Sequence, residues 1–406
     1  MEKVKLFYKF FLILIVSIII ETGCVKADRD NPEDYIQNGC TLQYNSNEAD
    51  GGDLPATPVV YRYGKTITVK GNSGNLTKNG YLFAYWAESE DGSGKCYMEG
   101  DTITINSDLT LYAQWGTSNG LMYQYENYDN SYSVEKNGSP NGIIVIPSEY
   151  NSLPVTAITN FLGCDGIIGF IIPETITYLV NNVFAYCTGL QNIYVSSKNS
   201  VFTSVDGVLF TKDKKTLILY PAGRINTSYT VPASVTAITS YAFTYCRTLV
   251  RFGVESTNTS ITSVDGVLFS MDKKIIICYP RYKEGQSYII PEETTTIGTT
   301  AFDYCQKLLN ITLPNGLKTI EANAFEDCSF SEITIPESVT SIGKSAFSSC
   351  NNLATITMVS TNPPVLGASA FKYISSSAKI KVPAAALENY KTTSGWSTYE
   401  TIIEGY

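Results

Sequence analysis

From Gly80 the chain reads GYLFAYWAESEDGSGKCYMEGDTITINSDLTLYAQW, and its end alternates cleanly. Leu109, Leu111, Ala113 and Trp115 fall on one side of a strand; Thr110, Tyr112 and Gln114 fall on the other. A period of two predicts a half-buried strand. Asp91-Gly92 and Glu99-Gly100-Asp101 supply turns, and Trp86 and Trp115 are expected to anchor a small β core over residues 40–116.

From residue 118 to 376 a different pattern repeats. Pro173 to Phe184 is eleven residues, as are Pro232 to Phe243, Pro291 to Phe302, Pro314 to Phe325 and Pro336 to Phe347. Each Phe is followed three residues on by a Cys. Cys164 to Cys187 and Cys305 to Cys328 are 23 residues, Cys328 to Cys350 only 22, because CSFSEITI lacks a residue that CNNLATITM has. In IPESVTSIGKSAFSSCNNLATITM, Pro336 ends a strand because it cannot donate a ladder hydrogen bond. Ala346 and Phe347 predict a short helical turn; Leu353, Ile356 and Met358 predict the next strand. One copy cannot bury these groups alone, but stacked copies can, with strands about 4.8 Å apart. Phe then forms one column through the core and Cys a second, where the chain turns and a larger side chain would not fit. Parallel side chains in a column are poorly placed for disulfides.

Cys187 to Cys246 and Cys246 to Cys305 are both 59 residues. The extra stretches match each other: SVDGVLF at 204–210 and 263–269, then DKK followed by TLILYP or IIICYP. Strand, polar turn, strand is a hairpin pattern. LILYP and IIICYP are apolar enough to be an extra coil of the stack, with Cys278 in its core; a projecting ligand-binding hairpin is the alternative. After Phe371 the Cys is replaced by Ile374, and residues 377–406 read as a C-terminal cap. Ala384 to Tyr390 predicts a short helix, with Trp396 and Tyr399 covering the open end.

The composition changes the picture mainly by what it lacks. The 406 residues contain no His, the commonest general base and metal ligand. Net charge is −9; removing residues 1–23, with three Lys and two Glu, leaves about −10. An acidic chain with no basic block has no footprint for nucleic acid. Lys3, Lys5 and Lys9 precede the apolar run FFLILIVSIII, too short for a spanning helix, so residues 1–23 read as an export signal. ETGC resembles a lipobox, which would lipidate Cys24, although Glu21 stands where an aliphatic residue is usual. An ordinary cleaved signal or an uncleaved anchor is the alternative. Residues 24–39 are polar and acidic, a linker. Cys40 and Cys96 could bridge in an oxidising compartment or stay two buried thiols.

Two resemblances follow. Gly80-Tyr81-x-Phe83-x-x-Trp86, Gly100-Asp101-Thr102 and Leu109 to Trp115 resemble the Listeria–Bacteroides repeat, the B-repeat of internalin-type surface proteins, over residues 40–116. Cys40 and Cys96 depart from it. Ile335 to Met358 closely resembles the BspA-like leucine-rich repeat, and the resemblance covers residues 118–376. Together they imply a mainly β chain with short helices: a leucine-rich repeat solenoid preceded by a small β domain. They also imply a cell-surface protein whose relatives adhere to matrix or plasma proteins.

No nucleophile elbow, phosphate loop, HExxH or dinucleotide motif occurs. The expectation is a protein without catalysis, cofactor or metal. What a solenoid offers is a long strand face. Outward positions are Asn192 and Tyr194, Arg251 and Gly253, Asn310 and Thr312, Glu332 and Thr334, Thr355 and Thr357. Of these, Tyr194, Arg251, Asn310, Thr312, Glu332, Thr334, Thr355 and Thr357 are the candidate ligand contacts. The expected function is an exported, lipid-anchored adhesin, attached to membrane through its N-terminal lipid only and binding an extracellular protein or glycan. The alternative is a glycan-binding or scaffolding component of an outer-membrane uptake complex.

Overall fold

The computed structural model describes residues 39–406. The export signal, Cys24 and the linker up to residue 38 lie outside the described residues. The chain divides into two compact units, the first mainly residues up to 119 and the second mainly residues from 120 onward.

The first unit holds a five-stranded sheet in the order Val59–Tyr61, Cys40–Asn45, Leu109–Gly116, Leu82–Ala87, Cys96–Tyr97. Lys65–Thr68 and Thr102–Ile105 form a separate antiparallel ladder. Trp86 is fully buried, packs edge-on to Tyr44 at 4.7 Å, and donates its indole N–H to the Lys70 carbonyl at 2.9 Å. Trp115 is half-buried and donates to the Asn47 carbonyl. The 109–116 strand buries Leu111 and Ala113 as its alternation predicts, but Gln114 on the other side is buried too. Its amide reaches the Ser89 and Glu90 carbonyls, so a loop covers that face locally. Cys96 retains its thiol, 3.6 Å from the Gly94 carbonyl. A Cys40–Cys96 bridge is therefore not formed.

The second unit is a stack of coils. Each coil runs from a main strand through a Pro turn to a two-residue strand, and then through the AFxxC turn to the next coil. The Pro turn closes the same way in successive coils: Val235, Thr294, Leu317 and Val339 donate to the carbonyls of Pro232, Pro291, Pro314 and Pro336. The short strands Thr296–Ile297, Thr319–Ile320, Ser341–Ile342 and Val365–Leu366 pair in parallel, forming one continuous side of the stack.

The AFxxC segment is not a helical turn. The residue before its Ala and the residue before its Cys both have positive φ: Thr300 and Tyr304, Asn323 and Asp327, Ser345 and Ser349. A helix would return every N–H to its own coil. Here alternate N–H groups point along the stack. Thr300, Phe302 and Tyr304 donate to Ala322, Ala324 and Glu326, and Asn323, Phe325 and Asp327 donate to Lys344, Ala346 and Ser348. The turns are thus a second continuous side.

Both predicted columns form. Phe302, Phe325, Phe347 and Phe371 stack at 5.0, 5.1 and 5.3 Å. The six repeat cysteines are buried thiols. Cys187, Cys328 and Cys350 donate to the carbonyls of Phe161, Phe302 and Phe325 at 2.9–3.1 Å. The two inserted stretches are coils and not projections. Val208–Thr211 and Thr216–Leu219 form the hairpin, whose second strand pairs in parallel with Ala237–Ile238. Val267–Ser270, Ile275–Cys278 and Thr296–Ile297 repeat the arrangement. Tyr279 takes the Phe place in its coil, 5.0 Å from Phe302.

At the C-terminus a 3-10 turn over Ala384–Ala386 leads into a helix over Leu387–Thr392, which ends two residues beyond the predicted Tyr390. Trp396 is fully buried and donates to the Pro364 carbonyl at 2.7 Å; Tyr399 lies edge-on to Phe371. These two rings end the Phe column.

Candidate functional site

The main strands form the third side of the stack, and this side is not continuous. Ser287–Ile289 pairs with Asn310–Thr312, and Glu332–Ile335 pairs with Thr355–Met358 and onward to Lys379–Val382. Between Asn310–Thr312 and Glu332–Ile335 no backbone pairing occurs. Yet the same two coils are joined on the other two sides: Thr319–Ile320 pairs with Ser341–Ile342, and the AFxxC turns bond as described.

The missing residue of CSFSEITI explains the break. Five residues separate Cys305 from Asn310 and Cys350 from Thr355, but four separate Cys328 from Glu332. The shorter path holds this strand back from its neighbour. Phe330 fills the core that the shortened path vacates, edge-on to Phe325 at 5.8 Å. Ile311, whose counterparts Ile333 and Ile356 are buried, is left half-exposed. The result is an open cleft of about 760 Å³. That volume is within the range of ligand sites.

Asn310, Thr312, Glu332 and Thr334, four of the eight predicted contacts, line this cleft. Thr355 and Thr357 lie beside it, paired with Glu332 and Thr334. Arg251 is exposed but pairs with Ser228 on another sheet. Tyr194 is a correction: it is 6% exposed, and its partner Ile171 is 7% exposed. The Gly169–Ile172 and Asn192–Val195 pair is buried on both faces, so alternation there does not mark an outward side. Asn315, Glu337, Ser338 and Val359 also line the cleft and were not predicted. Their signal was the short Cys328 spacing, which marks where the strand face opens.

The cleft carries two carboxylates, Glu332 and Glu337, and no basic side chain. Neither carboxylate makes an ion pair among the described residues. Asn310 reaches only the Ser287 hydroxyl, at 3.4 Å. Among the described residues no cluster of His, Cys, Asp and Glu could hold a metal ion.

A second cluster has a structural origin. An inserted coil separates the turns at Cys246 and Cys305, and Arg281 fills the gap between Tyr245 and Tyr304, 4.7 and 4.8 Å from the rings. It forms a buried ion pair with Asp303 at 2.5 Å. Burial pushes the Asp303 carboxyl up to about 7 against the opposing pull of Arg281.

Parallel coils of this length, with a Phe column and a strand face, define a leucine-rich repeat solenoid. The chain belongs to the BspA-type leucine-rich repeat family, whose pattern it matches in six copies over residues 143–218, 222–275 and 278–393. Residues 41–114 match the Listeria–Bacteroides repeat domain. A candidate membrane protein of Evansella cellulosilytica is 29% identical over 165 residues, covering 38% of this chain and 24% of that protein. A candidate Gly-rich membrane protein of the same organism is 35% identical over 79 residues, 19% of this chain and 9% of its own length. The chain thus spans a quarter or less of these relatives. Among solved structures, a leucine-rich repeat protein of Eubacterium ventriosum is 20% identical with a TM-score of 0.41, covering 66% of this chain and 78% of that one. The pneumococcal vaccine antigen PcpA is 19% identical with a TM-score of 0.37, covering 71% and 96%. Among the described residues no helix is long and apolar enough to cross a membrane.

Proposed function

We propose that the chain is an exported surface adhesin, held to its membrane through a lipid on Cys24, whose repeat array binds a protein of the surrounding matrix, plasma or a neighbouring cell. The observation that carries this reading is the open acidic cleft in the strand face, where four predicted contacts converge. Repeat solenoids use such faces for extended contacts. The export signal and acidic linker of the sequence support a surface location, and the names of the membrane-protein relatives agree with it. Nothing in the family or fold calls for catalysis.

The test uses the purified full chain against immobilised matrix and plasma proteins and a glycan panel at physiological salt. Saturable protein binding that weakens on charge reversal at Glu332 supports the adhesin; unchanged binding removes this face from the reading.

A second reading, glycan binding within an outer-membrane uptake complex, has one observation in its favour. Tyr123 stacks on Tyr150 at 3.9 Å beside Tyr125 and Tyr132, and Tyr125 and Tyr150 are exposed. Aromatic faces of this kind suit sugar rings. Glycan binding lost in Tyr150→Ala, without any protein ligand, would favour it.

A further inference from the structure

The break in the strand face does more than open a space. It leaves two sheet edges facing each other, and their backbone groups can be assigned. Ser331 accepts from the Ala354 and Thr355 amides, and Ile335 accepts from the Val359 amide. In a parallel ladder alternate residues bond to opposite sides. Ser331, Ile333 and Ile335 therefore face the Thr355–Met358 strand, and the N–H and C=O groups of Glu332 and Thr334 face the cleft. On the opposite wall Gln286 accepts from Asn310, and Thr312 accepts from Ile290, which turns the backbone groups of Ile311 to the cleft. Buried backbone groups in a folded chain are almost always paired, and unpaired edges attract added strands.

We infer that the cleft takes an extended, basic segment of a partner protein, which adds as a strand to the Glu332–Ile335 edge. This rests on the reading that the strand face binds a macromolecule, and it names the chemistry of that macromolecule. The main-chain groups of Glu332 and Thr334 supply strand-type hydrogen bonds, the recognition used wherever a peptide augments a sheet. Glu332 and Glu337 lie in the cleft without a basic neighbour there, so they select Lys or Arg in the incoming segment. Ile311, half-exposed where Ile333 and Ile356 are buried, meets an apolar residue on the segment's other face. A sugar could use the carboxylates and amides, but it has no use for main-chain groups spaced in sheet register.

The test measures binding of the full chain to a blocked Lys-Val-Lys-Val-Lys-Val peptide by calorimetry. Controls are the same peptide N-methylated at alternate residues, a Glu-Val hexapeptide and a β-1,4-linked glucose hexamer. The basic peptide should bind at least about tenfold more tightly than each control. Hydrogen exchange at Glu332 and Thr334 should slow in its complex. Two variants locate the contact. A single Asn inserted between Ser329 and Phe330 restores the five-residue spacing, puts Phe330 where Leu308 and Leu353 sit, and should close the cleft and abolish binding. Thr334→Pro removes one N–H that faces the cleft and none that bonds within the sheet, which an edge strand tolerates. It should weaken the peptide at least about tenfold, a main-chain hydrogen bond and its neighbours being lost together. Equal binding of the N-methylated peptide, equal binding by Thr334→Pro, a preference for the sugar, or no binding by any probe would overturn the inference. A matrix or plasma protein captured equally by the wild-type chain and Thr334→Pro would leave the adhesin standing and remove only this site.

Discussion

The Cys328 thiol shows what the repeated cysteine is for. It is buried, donates to the Phe302 carbonyl at 3.1 Å, and burial raises its pKa well above the ordinary range. The side chain is small enough for the turn and polar enough to occupy a carbonyl of the preceding coil. Arg281 and Asp303 solve a different local problem, the gap beside an inserted coil. Breaking a buried pair leaves an uncompensated charge, which typically costs about 3–5 kcal/mol. Here the cost depends on pH. Asp303 titrates near 7 in the folded chain against an ordinary value of 3.8. A carboxyl with a raised folded pKa stabilises fully below its unfolded pKa, and that contribution fades as pH rises through the folded one. Arg281→Ala should therefore lose more stability at pH 8 than at pH 5, where the lone carboxyl can take up a proton. In Asp303→Asn, the fall of Tm between pH 5 and pH 8 should be shallower than in the parent chain. Thermal unfolding across that range checks both; a pH-independent Arg281→Ala penalty would contradict the assignment.

At the scale of elements, equal spacing made the coils legible. Eleven residues from Pro to Phe and three more to Cys placed both columns correctly, because stacking brings like positions together. The inserted stretches were readable as coils because TLILYP and IIICYP are too apolar to project. The AFxxC segment was misread as a helical turn. Its small–large pair fits a helix, and nothing in side-chain pattern reveals a backbone that turns left-handed just before the Ala and again just before the Cys. Ser345, with φ of 53°, tests that geometry. Its amide donates to Ala368, so it must keep this conformation for the stack to bond. Ser345→Gly should be neutral or slightly stabilising, because glycine lacks the strain that Ser345 already carries, whereas Ser345→Val adds a β-branch to that strain and should cost on the order of 1 kcal/mol. Equal denaturation midpoints for the two variants would mean that the turn relaxes without strain. Tyr194 failed for another reason: an alternating strand predicts sidedness, but not whether both sides are covered. The cleft itself was half legible. The missing residue was visible, but its effect on the strand face depends on two other sides of the stack staying joined.

The whole array is close to a one-dimensional object, in which each coil packs mainly on its neighbours. Stability is therefore local, and an open end exposes apolar surface. The Phe column ends on Trp396 and Tyr399, 5.9 and 5.6 Å from Phe371, and Tyr390 packs edge-on to Trp396 while its hydroxyl donates to the Ser360 carbonyl. Trp396→Ala removes the largest of these rings and orphans the Pro364 carbonyl, a truncation that typically costs about 3–5 kcal/mol in a core. In a globular core that loss would be shared by the whole domain. Here it should be confined to the coils nearest the cap. Hydrogen exchange should rise across residues 355–406 and fall back to the parent rate toward the coils before Cys246. The Glu332–Ile335 strand is the informative boundary. Its backbone bonds to the cap side through Thr355–Met358, whereas the backbone bonds to the preceding coils run through the short strands and the turns and not through this strand. If the break in the strand face weakens coupling, protection should step up sharply on the N-terminal side of Glu332. A uniform loss along the array would instead mean that the two joined sides transmit stability as well as three, and that the cleft opens the surface without dividing the stack.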